Sequence, residues 1–196
     1  MSLNSEIIVV SGLPRSGTSL MMQMLHQGGI PAVTDEIRTA DADNPRGYFE
    51  FERVKKTKDD ATWLPEARGK VVKMVSSLLY DLPATEQYRI VFMSRDIDEI
   101  LESQEKMLAR LSRTAAPRVQ MKQSFNIHLD RLFKWLPAQH HIRLLEVSYN
   151  DLLGNSESEI LRVAKFLDHA PSISQMLAAV DPGLYRNRKT LETTTA

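Results

Sequence analysis

The chain opens on a short apolar run, Glu6-Ile-Ile-Val-Val-Ser-Gly12, closed by glycine. A run that is apolar at consecutive positions suits a strand covered on both faces, as in a parallel sheet. Leu20, Met21, Met24 and Leu25 then recur at helical spacing, and Gly28-Gly29 supplies a stop. Ile30 to Val33 reads as a second short strand, Lys70 to Val75 as a third, Tyr88 to Met93 as a fourth and His141 to Val147 as a fifth. A helix from about Asp96 carries Ile97, Ile100, Leu101, Leu108 and Leu111 on one side, and a longer helix is expected over Ser124 to Leu136. Ser156-x-x-Glu159 has the form of a capping box opening a helix with Ile160, Val163, Ala164 and Leu167, which Pro171 ends. Strands alternating with helices predict an α/β domain whose parallel sheet is flanked by helices on both faces.

Two stretches break the pattern. Residues 35–69 are polar, with Asn44-Pro45-Arg46-Gly47 as a turn, and residues 112–120 are also loop-like. Long irregular loops in a compact domain are often functional. With no repeat and no linker, residues 1–196 form one expected domain, with disordered ends at 1–5 and 190–196. Formal net charge is zero, so nothing suggests a polybasic nucleic-acid binder, no nucleic-acid partner is expected, and any anion site must be a local cluster. There is no cysteine, which removes disulfides and thiolate metal sites, and no metal site is expected. No apolar run reaches the ~18–20 residues of a membrane span, and the expected location is the cytoplasm.

The strongest chemical signal is Gly12-Leu-Pro-Arg-Ser-Gly17-Thr-Ser19, between a strand and a helix. Two glycines allow a tight turn with inward backbone N–H groups, and the following helix adds its positive N-terminal end. This makes the fold a P-loop-type parallel sheet. The spacing is that of a Walker loop, but Thr18 stands where that loop has its lysine. The cation is instead Arg15, inside the loop, where a guanidinium can donate two parallel hydrogen bonds to a leaving oxygen.

Pro14-Arg15-Ser16-Gly17-Thr18-Ser19-Leu20-Met21 resembles the 5′-phosphosulfate-binding loop of sulfotransferases, and is closest to that of the tyrosylprotein members. The resemblance implies 3′-phosphoadenosine 5′-phosphosulfate (PAPS) as donor and 3′,5′-ADP (PAP) as product. It implies binding by Pro14, Arg15, Ser16, Gly17, Thr18 and Ser19, with Arg15 also stabilising the leaving group. Family members place an arginine and a serine eight residues apart to bind the 3′-phosphate, and Arg95 and Ser103 have that spacing. Leu144 to Leu153 and Asn44 to Glu50 also resemble family segments. A basic segment often closes the 3′-phosphate site, which points to Arg186, Arg188 and Lys189.

Transfer to a hydroxyl requires a general base. The cytosolic members use histidine in Lys-Thr-His, where this chain has Lys73-Met74-Val75. Tyrosylprotein members use glutamate in Glu-x-Arg, and Glu36-Ile37-Arg38 is similar, so Glu36 is the expected base and Glu50 the second choice. Trp63 and Trp135 are expected in the core before either stacks on adenine. His26 and the adjacent His140-His141 give no ligand spacing. Loops at 38–69 and 112–125 are expected to shape the acceptor pocket, for a small molecule, carbohydrate, lipid or peptide. The alternatives are a P-loop small-molecule kinase and a catalytically inactive nucleotide-binding protein of the same fold.

Overall fold

The computed structural model describes residues 3–35, 47 and 49–180. Four parallel strands form one sheet: β1 (Ile7–Gly12), β2 (Val71–Val75), β3 (Tyr88–Ser94) and β4 (Ile142–Ser148), in the order β2-β1-β3-β4. Helices are α1 (Thr18–Gln27), α2 (Ile97–Arg110), α3 (Arg118–Trp135), α4 (Tyr149–Gly154), α5 (Ser156–Phe166) and α6 (Ile173–Ala179). No described helix is long and apolar enough to cross a membrane.

Alternation along β1 explains the two-sided core. Ile8 and Val10 pack with Met21, Leu25, Ile160 and Val163 under α1 and α5. Ile7 and Val9 pack with Trp63, Leu64, Phe92 and Leu132 on the face that α3 covers. Consecutive apolar residues can face opposite cores only because the sheet is sandwiched. The chain places β2 on one side of β1 and β3 on the other. The carboxyl ends of β1 and β3 therefore flank a point where strand order reverses, the place where open α/β sheets take ligands.

Several boundaries differ from expectation. Residues 30–33 do not form a strand: Ala32 makes one bridge to Val71, and Pro31 has no N–H to extend a ladder. Among the described residues the sheet thus has four strands rather than five. α3 begins at Arg118, six residues before the expected start. Only Leu132 of α3 is fully buried, so its early turns carry little apolar periodicity, and Arg118 anchors them by donating to Asp98 O at 2.9 Å. The capping box does not form. Asn155 is the residue before α5 and Ser156 lies inside it, because α4 ends at Gly154. The Glu159 carboxylate is taken by Arg162 instead, at 2.6 and 2.8 Å. The expected helix stops at Phe166, before Pro171, and Ile173–Ala179 is a further helix. Leu3–Ser5 form a 3-10 turn, although the first five residues read as disordered.

Candidate functional site

Residues 13–17 turn the chain from β1 into α1, and three of the surrounding backbone positions are left-handed: Gly12 (φ 151°), Arg15 (φ 70°) and Gly17 (φ 102°). A Cβ on Gly12 would lie 2.4 Å from Ser16 Oγ and 2.5 Å from Met93 O, so β3 and the loop leave no room for a side chain. A Cβ on Gly17 would lie 2.3 Å from the Tyr149 ring. Arg15 is the exception, a branched cation held at positive φ, a conformation that costs on the order of 1–3 kcal/mol and persists only where its surroundings impose it. Gly17 caps α1 without a side-chain hydrogen bond, so the first-turn N–H groups at Thr18 and Ser19 face the loop.

The surroundings that fix Arg15 are the residues singled out by spacing. Arg15 Nε donates to Ser103 Oγ at 3.0 Å, and Arg95 Nη1 donates to Arg15 O at 3.3 Å. Arg95 lies just beyond β3, and Ser103 is two turns into α2, whose start is capped by the Asp96 carboxylate accepting from Asp98 N and Glu99 N. Arg95 is itself braced: its Nε donates to Glu99 Oε2 at 2.9 Å, and its guanidinium sits 4.5 Å over the Tyr149 ring. Asn150 Nδ2 donates to the other Glu99 oxygen at 3.1 Å. Tyr149 thus touches both halves of the site, against Gly17 on one side and Arg95 on the other.

The other loop residues divide by exposure. Pro14 is exposed, Thr18 and Ser19 are half-buried, and Ser16 is fully buried beneath the loop with its N–H donating to Leu13 O. Lys73, to which the sequence reading gave no role, reaches the same place from β2. Its Nζ lies 3.4 Å from Ser19 Oγ and 3.9 Å from Glu50 Oε1. The available signal was a lysine at an otherwise apolar strand position, Val71-Val-Lys-Met-Val75. Glu50 stands beside it, and its carbonyl accepts from Asp35 N at 3.1 Å. Glu36, Arg38, Arg186, Arg188 and Lys189 lie outside the described residues. Trp63 is core, only 2% exposed, while Trp135 is half-buried. No group of three metal-ligating side chains occurs among the described residues.

The donor set is chemically uniform. Two guanidiniums, an ammonium, three hydroxyls and a helix N-terminus converge at the carboxyl ends of β1, β2 and β3, a set suited to a polyanion. A family model for the sulfotransferase domain matches residues 5–195. This chain belongs to the sulfotransferase family. Among solved structures, the sulfotransferase domain from the curacin biosynthetic pathway is similar with a TM-score of 0.51 and 16% identity, over 90% of this chain and 78% of that one. The sulfotransferase domain from the Synechococcus PCC 7002 olefin synthase has a TM-score of 0.51 and 13% identity, over 86% of this chain and 74% of that one. A sulfotransferase from Alicyclobacillus acidocaldarius has a TM-score of 0.50 and 14% identity, over 91% of this chain and 87% of that one. At these identities the likeness speaks for the sulfotransferase fold alone. Among curated proteins none matches the sequence.

Proposed function

We propose that this sulfotransferase-family protein moves a sulfuryl group from PAPS to an acceptor hydroxyl or amine, releasing 3′,5′-ADP, in the cytoplasm. The observation that carries the reading is the junction of Arg15, Ser103 and Arg95 at the switch point of the sheet. Family membership supports the reaction class, and the donor chemistry of the site supports a nucleotide with phosphates at two positions.

When bound, the donor supplies an activated sulfur with a phosphate leaving group. Arg15 brings a permanent positive charge to the loop, where it would stabilise charge growing on the leaving oxygen. Thr18, Ser19 and the N-terminus of α1 add donors at the same end. Lys73 contributes a second cation beside Ser19. Arg95 and Ser103 are the residues assigned to the 3′-phosphate. The assigned base is Glu36, with Glu50 second. Asp35 N donates to Glu50 O at 3.1 Å, and Glu50 stands beside Lys73.

The test is transfer of labelled sulfur from PAPS by the parent protein and by Glu36→Gln and Glu50→Gln. Glu36→Gln should bind 3′,5′-ADP like the parent and lose roughly 10²–10⁴ in kcat, the usual contribution of general-base catalysis. Loss on Glu50→Gln with Glu36→Gln unaffected would move the base to Glu50.

A further inference from the structure

A groove on the α3 side of the sheet is absorbed by none of the roles above. Its floor is one face of α3, where Ser124, His128, Arg131 and Trp135 recur at successive turns, and its wall is Tyr80. Tyr80 belongs to the 3-10 segment Ser76–Asp81 that leaves β2. The Tyr80 and Trp135 rings lie 4.8 Å apart between centroids, tilted by 56°, and Tyr80 meets the His128 ring edge-on at 6.2 Å. Tyr80 is 40% exposed and Ile127, also lining the groove, is 43% exposed. Apolar side chains this exposed around a concave surface mark a place where a ligand can shed water.

The position of the groove relative to the phosphate loop follows from the strand register. Gly12 pairs with Val75, so Ser76 is the first residue beyond the pair, about 4.8 Å across from the strand that feeds the loop. Ser76 Oγ is hydrogen-bonded to His128 Nε2 at 2.9 Å. The His128 end of the groove therefore abuts the sheet edge that carries the loop. Arg131 lies about one helical turn away, roughly 4.5 Å along the axis. It is exposed, and no described residue forms an ion pair with it, whereas its neighbours Asp130 and Lys134 pair with each other at 2.8 Å.

We propose that this groove is the acceptor site, and that it takes an aromatic acceptor carrying both the nucleophilic hydroxyl and an anionic group. The inference rests on the sulfuryl-transfer reading. Tyr80 and Trp135, packed on each other, present one aromatic wall to the acceptor ring, Arg131 pairs with the anion, and His128, whose Nε2 is held by Ser76, hydrogen-bonds the hydroxyl through Nδ1 at the end beside the loop. In the transfer, the hydroxyl oxygen forms a bond to sulfur and the bond from sulfur to the phosphate oxygen breaks. The electron pair leaves on the phosphate, and the hydroxyl proton goes to the carboxylate base. One helical turn between His128 and Arg131 suits a hydroxyl and a carboxylate at opposite ends of a single ring.

The experiment compares 4-hydroxybenzoate, phenol and cyclohexanol as probes, with labelled PAPS, in the parent, Arg131→Gln and Trp135→Leu. 3′,5′-ADP affinity is measured in each variant. The groove predicts kcat/KM in the order 4-hydroxybenzoate, phenol, cyclohexanol. Arg131→Gln should lower kcat/KM for 4-hydroxybenzoate about tenfold, mainly through KM, and leave phenol unchanged. Trp135→Leu should weaken both phenols, and 3′,5′-ADP affinity should stay at the parent value throughout. Saturable quenching of tryptophan fluorescence by 4-hydroxybenzoate, lost in Trp135→Leu, reports occupancy directly, because the remaining tryptophan, Trp63, is buried. If 3′,5′-ADP binds but neither phenol quenches or is sulfated, the groove assignment is overturned and the transfer reading stands. If 3′,5′-ADP does not bind at all, the transfer reading fails and the assignment with it.

Discussion

Arg15 Nε donates to Ser103 Oγ at 3.0 Å, joining residues 88 positions apart in the chain. One belongs to the loop between β1 and α1 and the other to α2, and the proposed function gives each a different end of the nucleotide. Their contact means that the two assigned half-sites share one surface. Arg95 makes the junction firmer, because it holds the Arg15 carbonyl while its own guanidinium is held by Glu99 and Tyr149.

Arg95 is therefore predicted to act twice, as a charge for the 3′-phosphate and as a brace for the loop. Its removal should cost on the order of 1.5–3 kcal/mol of 3′,5′-ADP binding, the range for hydrogen bonds to charged groups. AMP, which has no 3′-phosphate, should lose much less. Glu99 is buried, so Arg95→Ala alone removes the cation beside its carboxylate and lowers stability. The titration is best made in Arg95→Ala/Glu99→Gln, by calorimetry against both nucleotides. Equal weakening of 3′,5′-ADP and AMP would show that Arg95 does not read the 3′ position.

Gly17→Ala should disable the site from its base. The new methyl group would meet the Tyr149 ring at 2.3 Å and would sit at φ 102°. Backbone strain of this kind costs on the order of 1–3 kcal/mol, before any displacement of Tyr149 from Arg95. Thermal unfolding should show the loss, and nucleotide affinity should fall with it. Gly154→Ala, where an added Cβ meets nothing within 4 Å, is the control and should leave affinity intact.

Burial holds the His128 imidazole below its ordinary pKa of 6.5, so in the folded protein it favours the neutral form. The unfolded chain then binds more protons on the acid side. Stability from this group is fully present above about pH 6.5 and declines as pH falls through that value. The groups facing His128 are Ser76 and Tyr80, with Arg131 on its own helix. Denaturant unfolding between pH 5 and 8 should show the decline, and His128→Gln should flatten it. An unchanged pH profile in His128→Gln would place the titration elsewhere.

The parts of the fold legible in the sequence are those where pattern and packing agree. β1 is apolar at consecutive positions because both of its faces are covered, and the loop after it carries glycines where a Cβ would collide with Met93 O or Tyr149. The eight-residue spacing of Arg95 and Ser103 was legible through the resemblance, and the structure brings both to Arg15. The early turns of α3 were not legible, because α3 lies on the surface with little buried apolar area and its start is fixed by Arg118 reaching α2. Lys73 went unassigned because a strand lysine declares its target only once β2 is seen beside α1. His128 was missed for a related reason: its partner Ser76 is 52 residues away, and no local motif joins them.

The most direct test of the account is calorimetric titration of the intact protein with 3′,5′-ADP and with ATP in the presence of Mg²⁺. Thr18 stands in place of the lysine that a triphosphate-binding loop uses, while Arg15, Arg95 and Ser103 converge on one surface. The account predicts saturable binding of 3′,5′-ADP that does not depend on Mg²⁺, and negligible binding of ATP. Tighter, Mg²⁺-dependent binding of ATP would contradict it and identify the loop as that of a kinase.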